Sequence, residues 1–350
     1  MADYLGAGYA VATMNGTAAL HVALLVAGVG PDDEVLVSDL TFIAPVNAIR
    51  YVGAWPVLID ADPRYWQIDP GKVVDFLEKE CVWRSGALYN RTSRRRVRAL
   101  LPVHILGHPV EMGPILDVAK KFGLVVIEDA TEGLGASYEG RKIGALADIS
   151  CLSFNGNKLI TSGGGGMLVT ERQDWASEAR YLTTQAKDDP LESVHGRIGY
   201  NYRLTNLQAA MGCAQLEQLD AYIAAKRKIA ASYSRAFKKI GGIASMRAAP
   251  WAFSVFWMFT ILVDEKRYGM GSRELLRRLG QGGIETRPLW QPLHQSPVHS
   301  QCQNYHCDIA EKINREALSV PCSVGLRPAD QQQVVEQIDR FQREPRVDPI

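Results

Sequence analysis

The sequence predicts an α/β protein in which helices flank a mostly parallel central sheet, followed by a smaller α/β unit. Short apolar runs alternate with helical patterns: residues 34–38 and 54–59 are typical of strands, and residues 42–51 and 70–80 of helices. This spacing leaves room for the crossover connections that parallel strands require. The pattern then changes from Ala244 onward, which indicates a second unit.

The length of the chain favours two domains, because 350 residues exceed one ordinary core. We expect a large domain at residues 1–220 and a small C-terminal domain at residues 221–350. A long helix predicted over residues 206–238 connects them. Its apolar stripe, which includes Leu207 and Met211, is expected to be buried.

The composition excludes several classes of partner. The net charge is +1, with 22% charged and 47% apolar residues, which gives no electrostatic case for nucleic acid or an anionic membrane. No apolar run is long enough to span a bilayer, and the N-terminus lacks a secretory pattern. The basic run within residues 84–98 favours a solvated loop over a phosphate site. We therefore expect a cytoplasmic protein that binds neither nucleic acid nor membrane.

The six cysteines contain no CxxC pair, which favours free thiols in a reducing compartment. Cys302 and Cys307 lie close to His299 and His306 in the sequence. Their spacing fits no standard zinc site, so we predict no metal.

The stretch of residues 149–170 is typical of two strands joined by a tight turn that carries Lys158 and by four glycines, 163–166. No acidic residue lies in this stretch, so Lys158 has no local salt-bridge partner. Flanking apolar strands remove water, which favours the neutral, nucleophilic form of its amine. Such an amine suits a Schiff base with a carbonyl compound. The alternative is a solvated lysine in a turn.

Two further features predict a cofactor for this lysine. Gly16 and Thr17 open an apolar helix after a short strand, where N–H groups and the helix dipole favour an anion, although capping alone also explains them. Asp129 follows a buried strand and either points into a cleft or caps a turn. A cofactor phosphate is bound by a helix N-terminus, a pyridine nitrogen pairs with a carboxylate, and an aldehyde reacts with a lysine. Together these features predict pyridoxal 5′-phosphate (PLP).

Six motifs support this prediction, and the resemblance that they carry covers nearly the whole chain. They are Asn15-Gly16-Thr17-Ala18-Ala19-Leu20-His21, Thr41-Phe42, Val103-His104-Ile105-Leu106-Gly107, Ile127-Glu128-Asp129-Ala130, Ser153-Phe154-Asn155-Gly156-Asn157-Lys158 and Asn201-Tyr202-Arg203-Leu204. In this order they resemble the DegT/DnrJ/EryC1/StrS sugar aminotransferases, which are fold-type-I PLP enzymes. The stretch FNGNKLITSGGGGM is most similar to the subgroup that aminates UDP-4-keto-6-deoxy-N-acetylhexosamines at C4, of the legionaminate and bacillosamine type.

The resemblance implies a role for each site residue. Lys158 would hold the cofactor covalently and carry a proton during transfer. Asp129 would pair with the pyridinium nitrogen, and Phe42 would stack on the ring. Arg203 and His294 would contact the nucleotide-sugar substrate.

The resemblance also implies how the cofactor phosphate is held. Gly16, Thr17 and Ser153 would bind it within one subunit. Asn201 would reach the same phosphate from a neighbouring subunit, so a homodimer with shared active sites is expected.

Two departures from the family pattern stand out. Many relatives carry Gln where this chain has Glu132, near the 3′-oxygen of the cofactor. A carboxylate there would repel a phenolate unless one of the two groups holds a proton. The relatives also carry a further segment before the residues that match 1–9, so we expect a short N-terminal segment here.

The expected reaction is a transamination from L-glutamate to C4 of a nucleotide-linked 4-keto-6-deoxy sugar, in the synthesis of glycan precursors. Lys158 favours transfer, because related sugar dehydratases have His there. The alternatives are amination at C3 and an inactive relative with a binding or assembly role. A dinucleotide-dependent enzyme is disfavoured because no GxGxxG follows a strand, and a P-loop because the glycines follow the lysine.

Overall fold

The fold is built on one large sheet and one small sheet, both seen in a computed structural model that describes residues 1–189 and 191–343. The strands are β1 (Tyr9–Thr13), β2 (Glu34–Ser38), β3 (Trp55–Ile59), β4 (Cys81–Arg84), β5 (Ala87–Asn90), β6 (Arg96–Leu101), β7 (Val125–Asp129), β8 (Ser137–Tyr138), β9 (Arg141–Lys142), β10 (Ile149–Ser153), β11 (Gly166–Thr170), β12 (Lys187–Asp189), β13 (Val194–His195), β14 (Ile243–Ser245), β15 (Ala252–Phe253), β16 (Phe259–Val263), β17 (Arg287–Pro288), β18 (Gln303–Tyr305) and β19 (Ala317–Val320). The helices are α1 (Ala2–Leu5), α2 (Gly16–Val26), α3 (Ala44–Tyr51), α4 (Pro70–Lys79), α5 (Met112–Phe122), α6 (Gln173–Thr183), α7 (Asn206–Leu216), α8 (Leu219–Phe237), α9 (Glu265–Tyr268), α10 (Ser272–Gln281), α11 (Asp308–Glu316) and α12 (Pro328–Arg343).

The large sheet has the strand order β1-β11-β10-β7-β6-β2-β3-β18, and the β4–β5 hairpin joins it beside β6. Every pairing from β10 to β18 in this order is parallel. Strand β11 runs antiparallel to both β10 and β1. A mostly parallel sheet with helical crossovers confirms the predicted α/β fold class.

Helix α2 lies at the centre of the core. It packs against β10, β11, α3 and α6, so it is covered on several sides. Leu20, Val22 and Leu24 are each no more than 1% exposed. A helix that is apolar on every side is a buried helix, and full burial of one such leucine stabilises the fold by about 2 kcal/mol. This packing fixes the N-terminus of α2 against the end of β10.

The small sheet has the order β14-β16-β19-β17 and is antiparallel throughout. Helices α8, α10 and α12 pack together around it. The expected boundary between residues 220 and 221 stays a prediction. Strand β18 follows that boundary in the sequence but pairs with β3 of the large sheet, so the two sheets are interleaved along the chain.

Two local predictions were wrong in part. The basic run does lie in a loop, at residues 91–95 between β5 and β6, but residues 84–90 form most of the β4–β5 hairpin and residues 96–98 start β6, because Leu88 and Val97 are buried. The helix predicted over residues 206–238 is divided into α7 and α8. Its supposed core stripe is also exposed in α7, where Leu207 is 86% and Met211 is 52% accessible.

Candidate active site

A cavity of about 310 Å³ opens where the parallel strands β7 and β10 end. The start of α2, the start of α3 and the turn after β10 complete its walls. The predicted site residues that line it are Gly16, Thr17, Phe42, Asp129, Glu132, Ser153 and Lys158. The fold thus brings together most of the residues that the sequence singled out.

Lys158 lies in the turn after β10 with its side chain 14% exposed. Its Nζ atom is 3.5 Å from Glu132 Oε1 and 4.3 Å from the ring centroid of Trp257. The indole nitrogen of Trp257 donates to the carbonyl of Asn157 at 2.8 Å, which fixes the ring beside the turn. The expectation that Lys158 has no salt-bridge partner therefore holds only within residues 149–170, because the fold supplies Glu132 from elsewhere.

The start of α2 forms a cradle for an anion. Asn15 caps the helix through its side chain, which accepts from the N–H of Ala18 at 2.7 Å. Gly16 and Thr17 precede that group and line the cavity, so their N–H groups lie at the open end of the helix. A Cβ atom at Gly16 would approach the Cβ of Ser153 to 2.9 Å, so only glycine fits. Two N–H groups and the Ser153 hydroxyl suit a phosphate.

A second glycine contact fixes the same helix start. A Cβ atom at Gly166 would lie 2.4 Å from the backbone carbon of Asn15 and 2.7 Å from the N of Gly16. Gly166 therefore lets β11 pack directly against the helix start.

Asp129 ends β7, is 2% exposed and lines the cavity. Its Oδ1 accepts from the N–H of Thr131 at 3.0 Å. Burial raises the pKa of Asp129 above its ordinary value, against the opposing effects of Thr131 and Lys158. A nearby cation stabilises the ionised form of such a buried carboxylate, and a protonated ring nitrogen is a cation of this kind.

The preceding residue, Glu128, anchors this strand end. Its carboxylate accepts from Gly144 N, from Ser150 Oγ at 2.6 Å and from His104 Nε2 at 3.1 Å. His104 Nδ1 accepts from the N–H of Val110, so its proton lies on Nε2 and donates to Glu128. Burial raises the pKa of Glu128, but these hydrogen bonds outweigh it and hold the pKa below the ordinary value. Glu128 thereby fixes the backbone at the end of β7, which orients the side chain of Asp129 toward the cavity.

Glu132 is 6% exposed, and its Oε2 accepts from the N–H of Leu106 at 2.8 Å. Burial raises the pKa of Glu132 above its ordinary value, although the charge of Lys158 opposes this effect. A proton is therefore held here more readily than on a solvated glutamate. This direction fits the requirement that Glu132 or the neighbouring cofactor oxygen carries a proton.

Phe42 is 53% exposed at the rim of the cavity, which Trp290 also lines. His294, expected to contact substrate, does not line this cavity. Its Nδ1 lies 2.8 Å from Asp39 Oδ2, and its Nε2 lies 3.0 Å from Glu311 Oε1. Burial lowers the pKa of His294, but the charges and hydrogen bonds of these two carboxylates raise it above the ordinary value. In this chain His294 holds the loop that carries Trp290.

Asn201 and Arg203 are exposed and do not line the cavity of their own chain. Between them, the carbonyl of Tyr202 accepts from the N–H of Met14 at 2.6 Å. This bond places the segment next to the start of α2. Both side chains are thus available to a second molecule, and their expected roles stay predictions.

Some residues of the cavity were missed by the sequence analysis. Trp257 is the most important of them, because it contacts Lys158 and closes one wall. It carries no local signal, since it lies far along the chain in an ordinary apolar stretch.

The cavity fits PLP. The glycine-walled start of α2 has room for the phosphate, Asp129 is a buried carboxylate for the ring nitrogen, and Lys158 is an amine for the aldehyde. The fold and this cavity define a PLP-dependent transferase of fold type I.

The chain belongs to the DegT/DnrJ/EryC1/StrS aminotransferase family, whose sequence profile matches residues 1–339. It is 38% identical to the GDP-perosamine synthase of Caulobacter vibrioides over 342 residues, which cover 97% of this chain and 87% of the relative. It is 30% identical to the UDP-2-acetamido-2-deoxy-3-oxo-D-glucuronate aminotransferase of Pseudomonas aeruginosa, over 92% of this chain and 83% of the relative.

A solved structure agrees with this assignment. The crystal structure of S. venezuelae DesV in complex with a ketimine intermediate superposes with a TM-score of 0.87 at 30% identity, over 99% of this chain and 88% of that one. The protein is accordingly a PLP-dependent sugar aminotransferase of nucleotide-sugar biosynthesis. Within the described residues, no helix is both long and apolar enough to cross a membrane.

Proposed function

We propose that the protein transfers the amino group of L-glutamate to C4 of a nucleotide-linked 4-keto-6-deoxy sugar, in the synthesis of glycan precursors. The observation that carries this proposal is Lys158 in a cavity that also contains Asp129 and the open start of α2. Similarity to a GDP-perosamine synthase supports C4, the position at which perosamine carries its amine. The stretch FNGNKLITSGGGGM resembles the UDP-linked N-acetylhexosamine subgroup, which is also aminated at C4, but the relatives named above do not point specifically to that subgroup.

The residues of the cavity divide the chemistry among them. PLP, when bound, supplies an aldehyde and an electron-withdrawing ring. Lys158 Nζ holds that group and moves a proton as the amine is transferred. Asp129 keeps a proton on the ring nitrogen, and its burial strengthens that interaction. Gly16 and Ser153 orient the phosphate, while Trp257 excludes water from the lysine.

The test is a panel of keto-sugars linked to GDP, UDP and dTDP, each incubated with the PLP-loaded enzyme and L-glutamate. We expect product mass to show amination of a 4-keto-6-deoxy sugar, and NMR to place the amine at C4. The variant Lys158→Ala should give no product with any of them. Amination confined to 3-keto sugars would overturn the C4 assignment.

Amination at C3 is the second candidate. The observation that favours it is the relative from Pseudomonas aeruginosa, whose name specifies a 3-oxo sugar. The panel distinguishes the two directly. Loaded with PLP, the protein should be yellow, and borohydride should fix the cofactor on Lys158.

We also propose a homodimer with shared active sites. Helix α7 has no buried residue in this chain, and it exposes Leu207 and Met211 next to the segment that carries Asn201. An apolar helix face of this kind is typical of an interface. Mixing the variants Lys158→Ala and Asn201→Ala should then restore about a quarter of wild-type activity through hybrid dimers. If the mixture is no more active than either variant alone, the active sites are not shared between subunits.

A further inference from the structure

A second cavity, of about 480 Å³, adjoins the first at Lys158. Asn157, Lys158 and Trp257 line both cavities, so the turn that carries the reactive lysine and the indole of Trp257 form their common wall. The far wall of the second cavity comes from the small sheet, at Arg287 in β17 and at the end of β19. A compound that enters this space lies beside the turn that carries the reactive lysine.

The charged groups of the second cavity favour an anion. Lys158, Lys226 and Arg287 line it, against the single acid Glu285. Lys226 is 6% exposed, and its Nζ donates to the carbonyls of Trp257 and Cys322 at 2.6 Å each. Its donors are thus occupied within the chain, and it contributes a fixed positive charge rather than a ligand contact.

Arg287 is the cation that is able to bind a ligand. Its guanidinium is paired only with Glu285 among the described residues, and the two side chains are 71% and 74% exposed. Such an exposed ion pair contributes little to stability, so Arg287 exchanges Glu285 for another carboxylate at small cost. Its backbone is held by β19, where Arg287 pairs with Ser319.

We propose that this second cavity binds the amino donor and that the Arg287 guanidinium holds the side-chain carboxylate of L-glutamate. This inference rests on the proposed transamination. The planar guanidinium matches a carboxylate in two parallel hydrogen bonds. Arg287 is thus a specificity residue that selects a dicarboxylic donor over a neutral amino acid.

The test measures the first half-reaction alone, by adding L-glutamate to the PLP form without any keto-sugar and following the loss of its colour. In Arg287→Ala we expect the KM for L-glutamate to rise about 10- to 100-fold, because a charged hydrogen-bonded contact is lost. The KM for L-alanine should not change, and Arg287→Lys should restore part of the glutamate preference. Glu285→Gln, which removes the competing carboxylate, should lower the KM for L-glutamate.

The matched control is Arg277→Ala, since Arg277 is also an exposed arginine paired with one glutamate, Glu274, but lies outside the cavity. An unchanged glutamate KM in Arg287→Ala, or an equal rise for L-alanine, would overturn the proposal. If the PLP form of the wild-type protein keeps its colour with every amino acid, the proposed function itself would be contradicted. The two failures are thereby distinguished.

Discussion

Glu132 lies 3.5 Å from Lys158 and is the acid that departs from the family pattern. With the cofactor held on Lys158, an ionised Glu132 at this distance would favour a proton on the nitrogen that joins them. In Glu132→Gln we therefore expect the pH at which the bound cofactor changes colour to fall by about 1–2 units. A spectrophotometric pH titration of the purified protein measures it.

The control for this titration is Glu78→Gln, because Glu78 is an exposed acid paired with Lys121 far from the cavity. That variant should titrate as the wild type does. A midpoint that stays unchanged in Glu132→Gln would mean that Glu132 is already protonated and does not act as a charge partner of Lys158.

Single residues were predictable where their position follows from a local pattern. Lys158 follows a strand, Asp129 ends one, and Gly16 opens a helix, so each lies at the edge of the sheet where ligands bind. The partners of His294 were not predictable. Asp39 lies 255 positions away in the sequence, and only the fold brings the two together.

At the scale of elements, the contact between β11 and the start of α2 is the one most sensitive to a small substitution. A Cβ atom at Gly166 would meet backbone atoms of Asn15 and Gly16, which cannot move aside as a side chain does. In Gly166→Ala we expect a loss of about 1–3 kcal/mol in the free energy of unfolding and at least about tenfold weaker binding of PLP. Urea unfolding and cofactor titration measure the two effects.

Gly156→Ala is the matched control, because Gly156 belongs to the same stretch and a Cβ atom there meets nothing within 4 Å. It should bind PLP as the wild type does. Equal PLP affinities in the wild type and Gly166→Ala would show that the helix start does not hold the phosphate.

Helices and strands were predictable where the apolar residues have a regular period. Their burial was predicted wrongly where it depends on contacts with distant parts of the chain or with a second molecule. The strands β2, β3 and β7 follow from apolar runs. The stripe on α7 has helical spacing, yet it is exposed in this chain, because periodicity identifies an apolar face without identifying what covers it. The β4–β5 hairpin was missed because its strands have only four residues each and a basic run follows them directly.

At the scale of the whole molecule, His108 connects the two parts of the chain. It is 1% exposed, its Nδ1 donates to the carbonyl of Pro109 at 2.7 Å, and its Nε2 accepts from the N–H of Ala249 at 2.9 Å. This geometry requires the neutral ring. Burial lowers the pKa of His108 to about 4.

This shift sets the direction of a pH effect on stability. Between about pH 4 and pH 6.5 the unfolded chain binds a proton at His108 that the folded chain does not, so stability falls as the pH is lowered. We expect His108 to account for a loss of about 2 kcal/mol between about pH 7.5 and pH 5. Urea unfolding at both pH values should show this difference reduced in His108→Gln but retained in His195→Gln, an exposed control. Equal losses in both variants would contradict it.

A second, smaller α/β unit was predictable, but its interleaving with the large sheet was not. A change of pattern near residue 244 marks the start of the small sheet. Strand β18 has only three residues and returns to the large sheet, and a segment so short leaves no periodic signal.

That return has a consequence for synthesis on the ribosome. The edge of β3 stays unpaired until β18 has been made, when most of the chain has already emerged. An unpaired strand edge is a template for association with other chains. We therefore expect nascent chains that end before residue 303 to need a chaperone, and a fragment cut at residue 240 to be recovered mainly as aggregate. A soluble, monomeric fragment of that length would show that the edge is tolerated.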